Sequence, residues 1–215
     1  MIDVESRPAI RILFLLAFLL AAVLVFPPGS TGSGIFYVSV SFFMIALFLA
    51  SYGKGFPYGL SYLRLIPKRK DLPGLVLWGA AGFILSIAIT AIASLILSYF
   101  GFLDADLVGQ KIQSLPTIAL MLAFTLAPVG EEALFRGYLF RKISEKGRSY
   151  LIGALLSSAI FAAMHFLYGS IAEIAVAFLI ALVLCALTQK TGSLVPAMVA
   201  HASFNFLSIA HMVLV

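Results

Sequence analysis

Apolar residues run through this sequence in blocks of roughly twenty, and polar residues gather between the blocks instead of alternating within them. A helix needs about 20 mostly apolar residues to cross a hydrocarbon core. Seven stretches meet that requirement, near 9–26, 35–52, 73–100, 116–140, 149–167, 171–188 and 193–214. The expected fold is therefore all-α, a polytopic transmembrane helical bundle of about seven spans. The third stretch is overlong and is expected to tilt or run on past the membrane. Breaks fall where Pro and Gly collect: Phe26-Pro27-Pro28-Gly29, Gly53 to Pro57, and the short turn Gln189-Lys190-Thr191-Gly192, in which Gly192 is the expected breaker.

Composition strengthens this picture. Of 215 residues, 62% are apolar and 11% charged, whereas soluble domains average about 25% charged. With the N-terminus placed in the cytosol, every basic residue but Lys111 falls in a cytosolic segment: Arg7, Arg11, Lys54, Arg64, Lys68, Arg69, Lys70, Arg136, Arg141, Lys142, Lys146, Arg148 and Lys190. Positively charged residues favour the cytosolic side, so an N-inside, C-outside orientation is expected. Basic loops facing anionic membrane lipid account for the net charge of +5, and no nucleic-acid partner is called for. Arg7 and Arg11 precede an apolar run as in a signal peptide, but Val25-Phe26-Pro27-Pro28 is a poor cleavage site. That run is taken as the first span. The single cysteine, Cys185, lies within a span and excludes both a disulfide framework and a cysteine-only metal site.

Ionisable groups inside spans are costly and point to function. Here they all follow residue 130: Gly130-Glu131-Glu132-Ala133-Leu134-Phe135-Arg136 in the fourth stretch, Phe161-Ala162-Ala163-Met164-His165 in the fifth, and His201-Ala202-Ser203-Phe204-Asn205 in the seventh. Glu132 and Arg136 stand four apart, on one helix face and in the favourable order for an ion pair. Glu131 points about 100° away and lacks that partner, so it is expected to face a cavity. His201 and Asn205 are also four apart and present an imidazole and an amide on one face. Singly, His165 could be a core histidine, Asn205 interhelical glue and Arg136 a snorkelling end residue. Two acids, two histidines and an amide on three helices are better satisfied together, in one interior site. His211 and Glu173 sit at span ends, and Trp78, Tyr37, Tyr58, Tyr62 and Tyr168 fit an interfacial aromatic belt.

Taken in order, Glu-Glu-x-x-x-Arg at 131–136, Phe-x-x-x-His at 161–165 and His-x-x-x-Asn at 201–205 resemble the CAAX protease and bacteriocin-processing (CPBP, or Abi) family. The best-known branch of that family is the Ras-converting type of prenyl-protein endopeptidase. The run Gly192-Ser193-Leu194-Val195-Pro196-Ala197-Met198 resembles the family's approach to its last motif. The resemblance spans roughly 116–210, which divides the chain into generic spans over 1–115 and a catalytic core over 116–215. It implies a multi-pass intramembrane endopeptidase acting on lipidated or membrane-associated peptides, prenylated CAAX proteins among them, with a cell membrane as the expected location. By the same resemblance, Glu131 and His165 activate the attacking water, with Glu131 as general base. His201 and Asn205 stabilise the oxyanion, and Glu132 and Arg136 hold the helix and Glu131 in place.

The chemistry suits these residue types. Amide hydrolysis needs a base for water and donors aimed at developing negative charge, worth about 3–4 kcal/mol each in a dry site. Glu131, His165 and His201 would also make a three-ligand Zn2+ site with an open position. A His-Glu-x-x-His motif is absent, and the metal-free version is preferred. His165 stands nearer the outer end of its stretch than Glu131 and His201 do of theirs, so the fifth helix is expected to begin in the cytosol, below the membrane surface. Two other classes stay in view. One is a proton-coupled membrane transporter, which would use acids and histidines as a relay but commonly shows paired repeats. The other is a catalytically silent scaffold or immunity protein.

Overall fold

The structure is a computed structural model and describes residues 33–104 and 106–214. The expected first span, 9–26, and the break at 26–29 lie outside the described residues. Within them the protein is all-helical, with α1 (Ser33–Ser51), α2 (Phe56–Tyr62), α3 (Leu72–Tyr99), α4 (Asp106–Gln113) and α5 (Thr117–Glu132). The helix of α5 continues through a π-helical segment, Ala133–Phe140, into α6 (Arg141–Gly147). Then come α7 (Tyr150–Met164), a 3-10 turn over His165–Tyr168, α8 (Ile171–Thr191) and α9 (Val195–Leu214).

Five helices among the described residues are long and apolar enough to cross a membrane: Gly34–Ser51, Arg69–Tyr99, Thr117–Gly147, Ile171–Thr191 and Val195–Leu214. They correspond to the second, third, fourth, sixth and seventh expected stretches, and the third is overlong as expected. The fifth stretch departs from expectation. Its α-helix is 15 residues, about 22 Å at 1.5 Å per residue, short of a hydrocarbon core of about 30 Å. The apolar residues after Met164 turn instead through the 3-10 segment to Gly169, whose φ of 78° is left-handed. Ser170 then starts α8 by accepting the Glu173 N–H at 3.0 Å. The Asp104 carboxylate secures that start from α8's other side, accepting from Ser170 Oγ at 2.6 Å and from the Ile171 and Ala172 amides at 2.7 and 3.0 Å.

Large apolar side chains face outward, as lipid solvation requires. Leu77 and Leu95 on α3, for example, are 70% and 72% exposed. Inside, close helix approach depends on small residues. Gly79 and Gly82 of α3 let Val199 and Ala200 of α9 and Leu187 of α8 come within contact. The α5 helix lies between α1 and α9, and α7 packs on α8 and on the π segment. Gly192 ends α8 in the left-handed conformation (φ 67°), and its N–H returns to the Thr188 carbonyl at 3.0 Å, as its place in the sequence suggested. The chain from α2 meets this turn: Leu194 N–H donates to the Arg64 carbonyl at 3.2 Å.

Candidate active site

Helix register brings the polar residues to one level. The Phe161 ring of α7 stacks edge-on against Phe135 of the π segment with centroids 5.2 Å apart, and the Arg136 guanidinium carbon lies 4.4 Å above it. Lower on the same antiparallel pair, Gly153 of α7 abuts Phe140 and Ser144. One turn past Phe161, His165 therefore comes level with the Glu131–Glu132 turn of α5, about 6 Å further along the helix axis. A short α7 starting beside α6 removes the depth mismatch that span lengths alone imply.

The two glutamates meet different partners. Glu132 is fully buried, and its Oε1 accepts from Arg136 Nη1 at 2.9 Å and lies 2.7 Å from His201 Nδ1. The expected i,i+4 pair is present, and it also holds the imidazole of α9. Glu131, with 21% of its side chain exposed, puts Oε2 3.6 Å from His201 Nε2. His201 thus stands between two carboxylates, one fixed and one reachable. Its bond to Glu132 assigns a proton to Nδ1. Arg136 offsets the charge of Glu132 within the interior.

His165 is half-buried at the end of α7, its Nδ1 3.1 Å from the Phe161 carbonyl. Because a carbonyl only accepts, Nδ1 carries the proton in the neutral ring, and Nε2 is left with its lone pair. The Phe161 ring links the two histidines, with centroids 4.8 Å from His165 and 5.9 Å from His201. Asn205 stands one turn along α9, where its amide donates to the Ala123 carbonyl at 3.0 Å. That bond draws α9 onto α5 near Pro128 and places Asn205 beside the cluster, not in hydrogen-bond contact with Glu131 or His201.

Zn2+ on Glu131, His165 and His201 is the alternative to the preferred metal-free reading. Among the described residues, no group of three or more His, Cys, Asp and Glu side chains is disposed to hold a metal ion. Of these three side chains only Glu131 and His201 approach each other closely, Oε2 to Nε2 at 3.6 Å. Residues the motifs did not single out complete the frame. Ser39 of α1 presses its backbone against Gly130, immediately before Glu131, and Phe42 stacks on Phe135 at 5.8 Å. A glycine inside an apolar helix, directly before two acids, was the available signal for that approach.

Residues 113–207 match the family described as Rce1-like: Type II CAAX prenyl endopeptidase Rce1-like. A Rce1-like CAAX protease domain covers that part of the chain. It includes α5, the π segment, α7, α8 and the portion of α9 that bears His201 and Asn205. No curated protein and no solved structure matches the chain.

Proposed function

We propose that this protein is an intramembrane endopeptidase of CAAX type, hydrolysing a peptide bond in a lipidated or membrane-associated substrate at a cell membrane. The observation that carries the proposal is the approach of Glu131 Oε2 to His201 Nε2 at 3.6 Å, with His201 fixed from behind by Glu132 and Arg136. It lies within the segment that matches a CAAX prenyl endopeptidase family.

In this mechanism Glu131 takes a proton from a water molecule held between it and His165 Nε2. The water oxygen bonds to the scissile carbonyl carbon and the carbonyl oxygen becomes an oxyanion. His201 receives that charge from Nε2, which can donate only when the ring is doubly protonated, because Nδ1–H is committed to Glu132. Asn205 supplies a second donor once its side chain turns from Ala123. Collapse breaks the C–N bond, and the proton on Glu131 passes to the leaving amine. Glu132 and Arg136 position His201 and do not touch substrate. The catalytic unit falls within residues 116–215, and α1 and α3 of the preceding chain pack against it.

The test is cleavage of a prenylated peptide by the purified protein in detergent, comparing wild type with Glu131→Gln and His165→Ala. Loss of the base should lower the rate by about 10²–10⁴-fold while the thermal midpoint stays close to that of wild type. Wild-type turnover by Glu131→Gln would overturn the assignment.

A further inference from the structure

Beside the candidate active site, a cavity of about 320 Å³ opens between the π segment, α6 and the start of α7. Four arginines line it, Arg64, Arg136, Arg141 and Arg148, against one acid, Glu145. Two of the four are matched: Arg141 Nε pairs with Glu145 at 2.8 Å, and Arg136 Nη1 pairs with Glu132. The Arg64 guanidinium donates to the Thr188 carbonyl at 3.2 Å, and neither Arg64 nor Arg148 has an acidic partner among the described residues. Arg136 is 1% exposed, yet its Nη2 has no acceptor among the described residues. A buried guanidinium nitrogen without an acceptor is costly, and here it belongs to the innermost residue of an electropositive pocket. Burial and the neighbouring Arg141 charge also pull the Arg64 guanidinium below its ordinary value, so the pocket holds like charges that an anion would relieve.

We infer that this cavity is a binding site for the phosphate of an anionic phospholipid headgroup. The mouth of the cavity decides among anions. Tyr150 lines it and is 61% exposed, and the adjoining outer face of α7 presents Leu151 (67%) and Leu155 (41%). A phosphate seated among the arginines would leave two acyl chains to run along that apolar face. A soluble anion makes no use of the face. Arginine forks suit phosphate oxygens bidentately, and basic pockets between membrane helices are a recognised headgroup geometry. The site does not depend on the proposed hydrolysis. Because Arg136 borders both, a bound headgroup would also firm the brace behind His201.

The test is native mass spectrometry of the full chain in detergent with equal amounts of phosphatidylglycerol and phosphatidylcholine. At least tenfold preferential retention of a single phosphatidylglycerol is expected. It should fall to parity in Arg64→Gln/Arg148→Gln, and several-fold in Arg148→Gln alone, which alters only an exposed residue. Equal retention of the two lipids overturns the inference, as does unchanged preference in the variants. Two competitors separate the sources of anion. Displacement of the lipid by inorganic phosphate at low millimolar concentration would make this a free-phosphate site. Displacement by a peptide with a free C-terminal carboxylate, but not by its amide, would assign the pocket to substrate and also overturn the lipid. Failure of cleavage with lipid binding intact would count against the hydrolytic proposal alone.

Discussion

Replacing Gly130 by alanine tests how closely the frame holds Glu131. A Cβ built at Gly130 would fall on the carbonyl oxygen of Ser39, with the Ser39 carbonyl carbon at 2.9 Å and Cα at 3.1 Å. Every obstructing atom is backbone, so no rotamer change relieves the clash. Carbon–carbon contacts settle at about 3.5–4.0 Å, so α1 and α5 must separate by roughly 1 Å. Overpacking of this kind costs about 1–3 kcal/mol, and backbone obstruction belongs at the upper end. Alanine recovers about 1 kcal/mol of helix propensity. The net is a loss of about 2 kcal/mol, or about 4–8 °C in thermal midpoint for a chain of this size. Activity should suffer more, since a 1 Å misplacement of a reacting group can cost about 10²-fold and Glu131 is the next residue. Gly109→Ala is the control: nothing lies within 4 Å of its Cβ position, so the same substitution in α4 should leave the midpoint unchanged or raise it by about 2–4 °C. Both variants are followed by thermal unfolding in detergent and by the peptide cleavage assay below the lower midpoint. A Gly130→Ala protein with wild-type midpoint and wild-type rate would refute the reasoning.

Three further outcomes follow from the same contacts. Arg136→Met should lose about 3–5 kcal/mol by leaving Glu132 buried without its guanidinium, held by His201 alone, and Glu132→Gln/Arg136→Met together should lose much less; a double-mutant cycle on thermal midpoints checks this. Phe161→Leu should lower cleavage at least tenfold while costing about 1 kcal/mol of stability, because the ring orients His165, His201 and Arg136; equal proportional losses would show packing alone. The hydrogen bond from Ser170 and the Ile171 and Ala172 amides hold the Asp104 carboxyl below its ordinary range. Its contribution is therefore present above about pH 4 and lost as pH falls through the lowered folded value. The midpoint gap between wild type and Asp104→Asn should be wide at pH 7 and close toward pH 3.

Long apolar stretches made five membrane-length helices legible, because composition over twenty residues overrides local detail. The stretch over 149–167 was equally apolar but yielded a shorter helix. What stops it is Gly169 together with a cap from Asp104, 66 residues earlier than Ser170, and periodicity carries no trace of a partner that distant. Within the site, Glu132–Arg136 was legible from spacing, since i and i+4 share a face in any helix. The capture of His201 by Glu132 was not, because it depends on which α9 residue lies opposite α5. Gly79, Gly82 and Gly130 set those approaches through an absent side chain, a signal that spacing alone does not separate from any other helix glycine. The arginine pocket was invisible for a further reason: Arg64 comes from the chain after α2 and the other three from the π segment and its sequel.

The proposed mechanism gives the adjacent glutamates opposite duties, and the π segment follows directly on them. It begins at Ala133, directly after Glu132. Across it Arg136 stays bonded to Glu132 while Phe135 and Phe140 are buried. Single π turns are rare and concentrate at functional sites. Their cost must be recovered through contacts that a regular helix would not make. The segment here makes two such links, the Arg136 guanidinium over Phe161 at 4.4 Å and the Leu63 and Leu194 side chains against Gly137. The first ties the brace of Glu132 to the helix carrying His165; the second ties it to the turn leading into the helix carrying His201. Glu132 is thereby committed to structure from three sides, and Glu131 is left as the more exposed carboxylate facing His201.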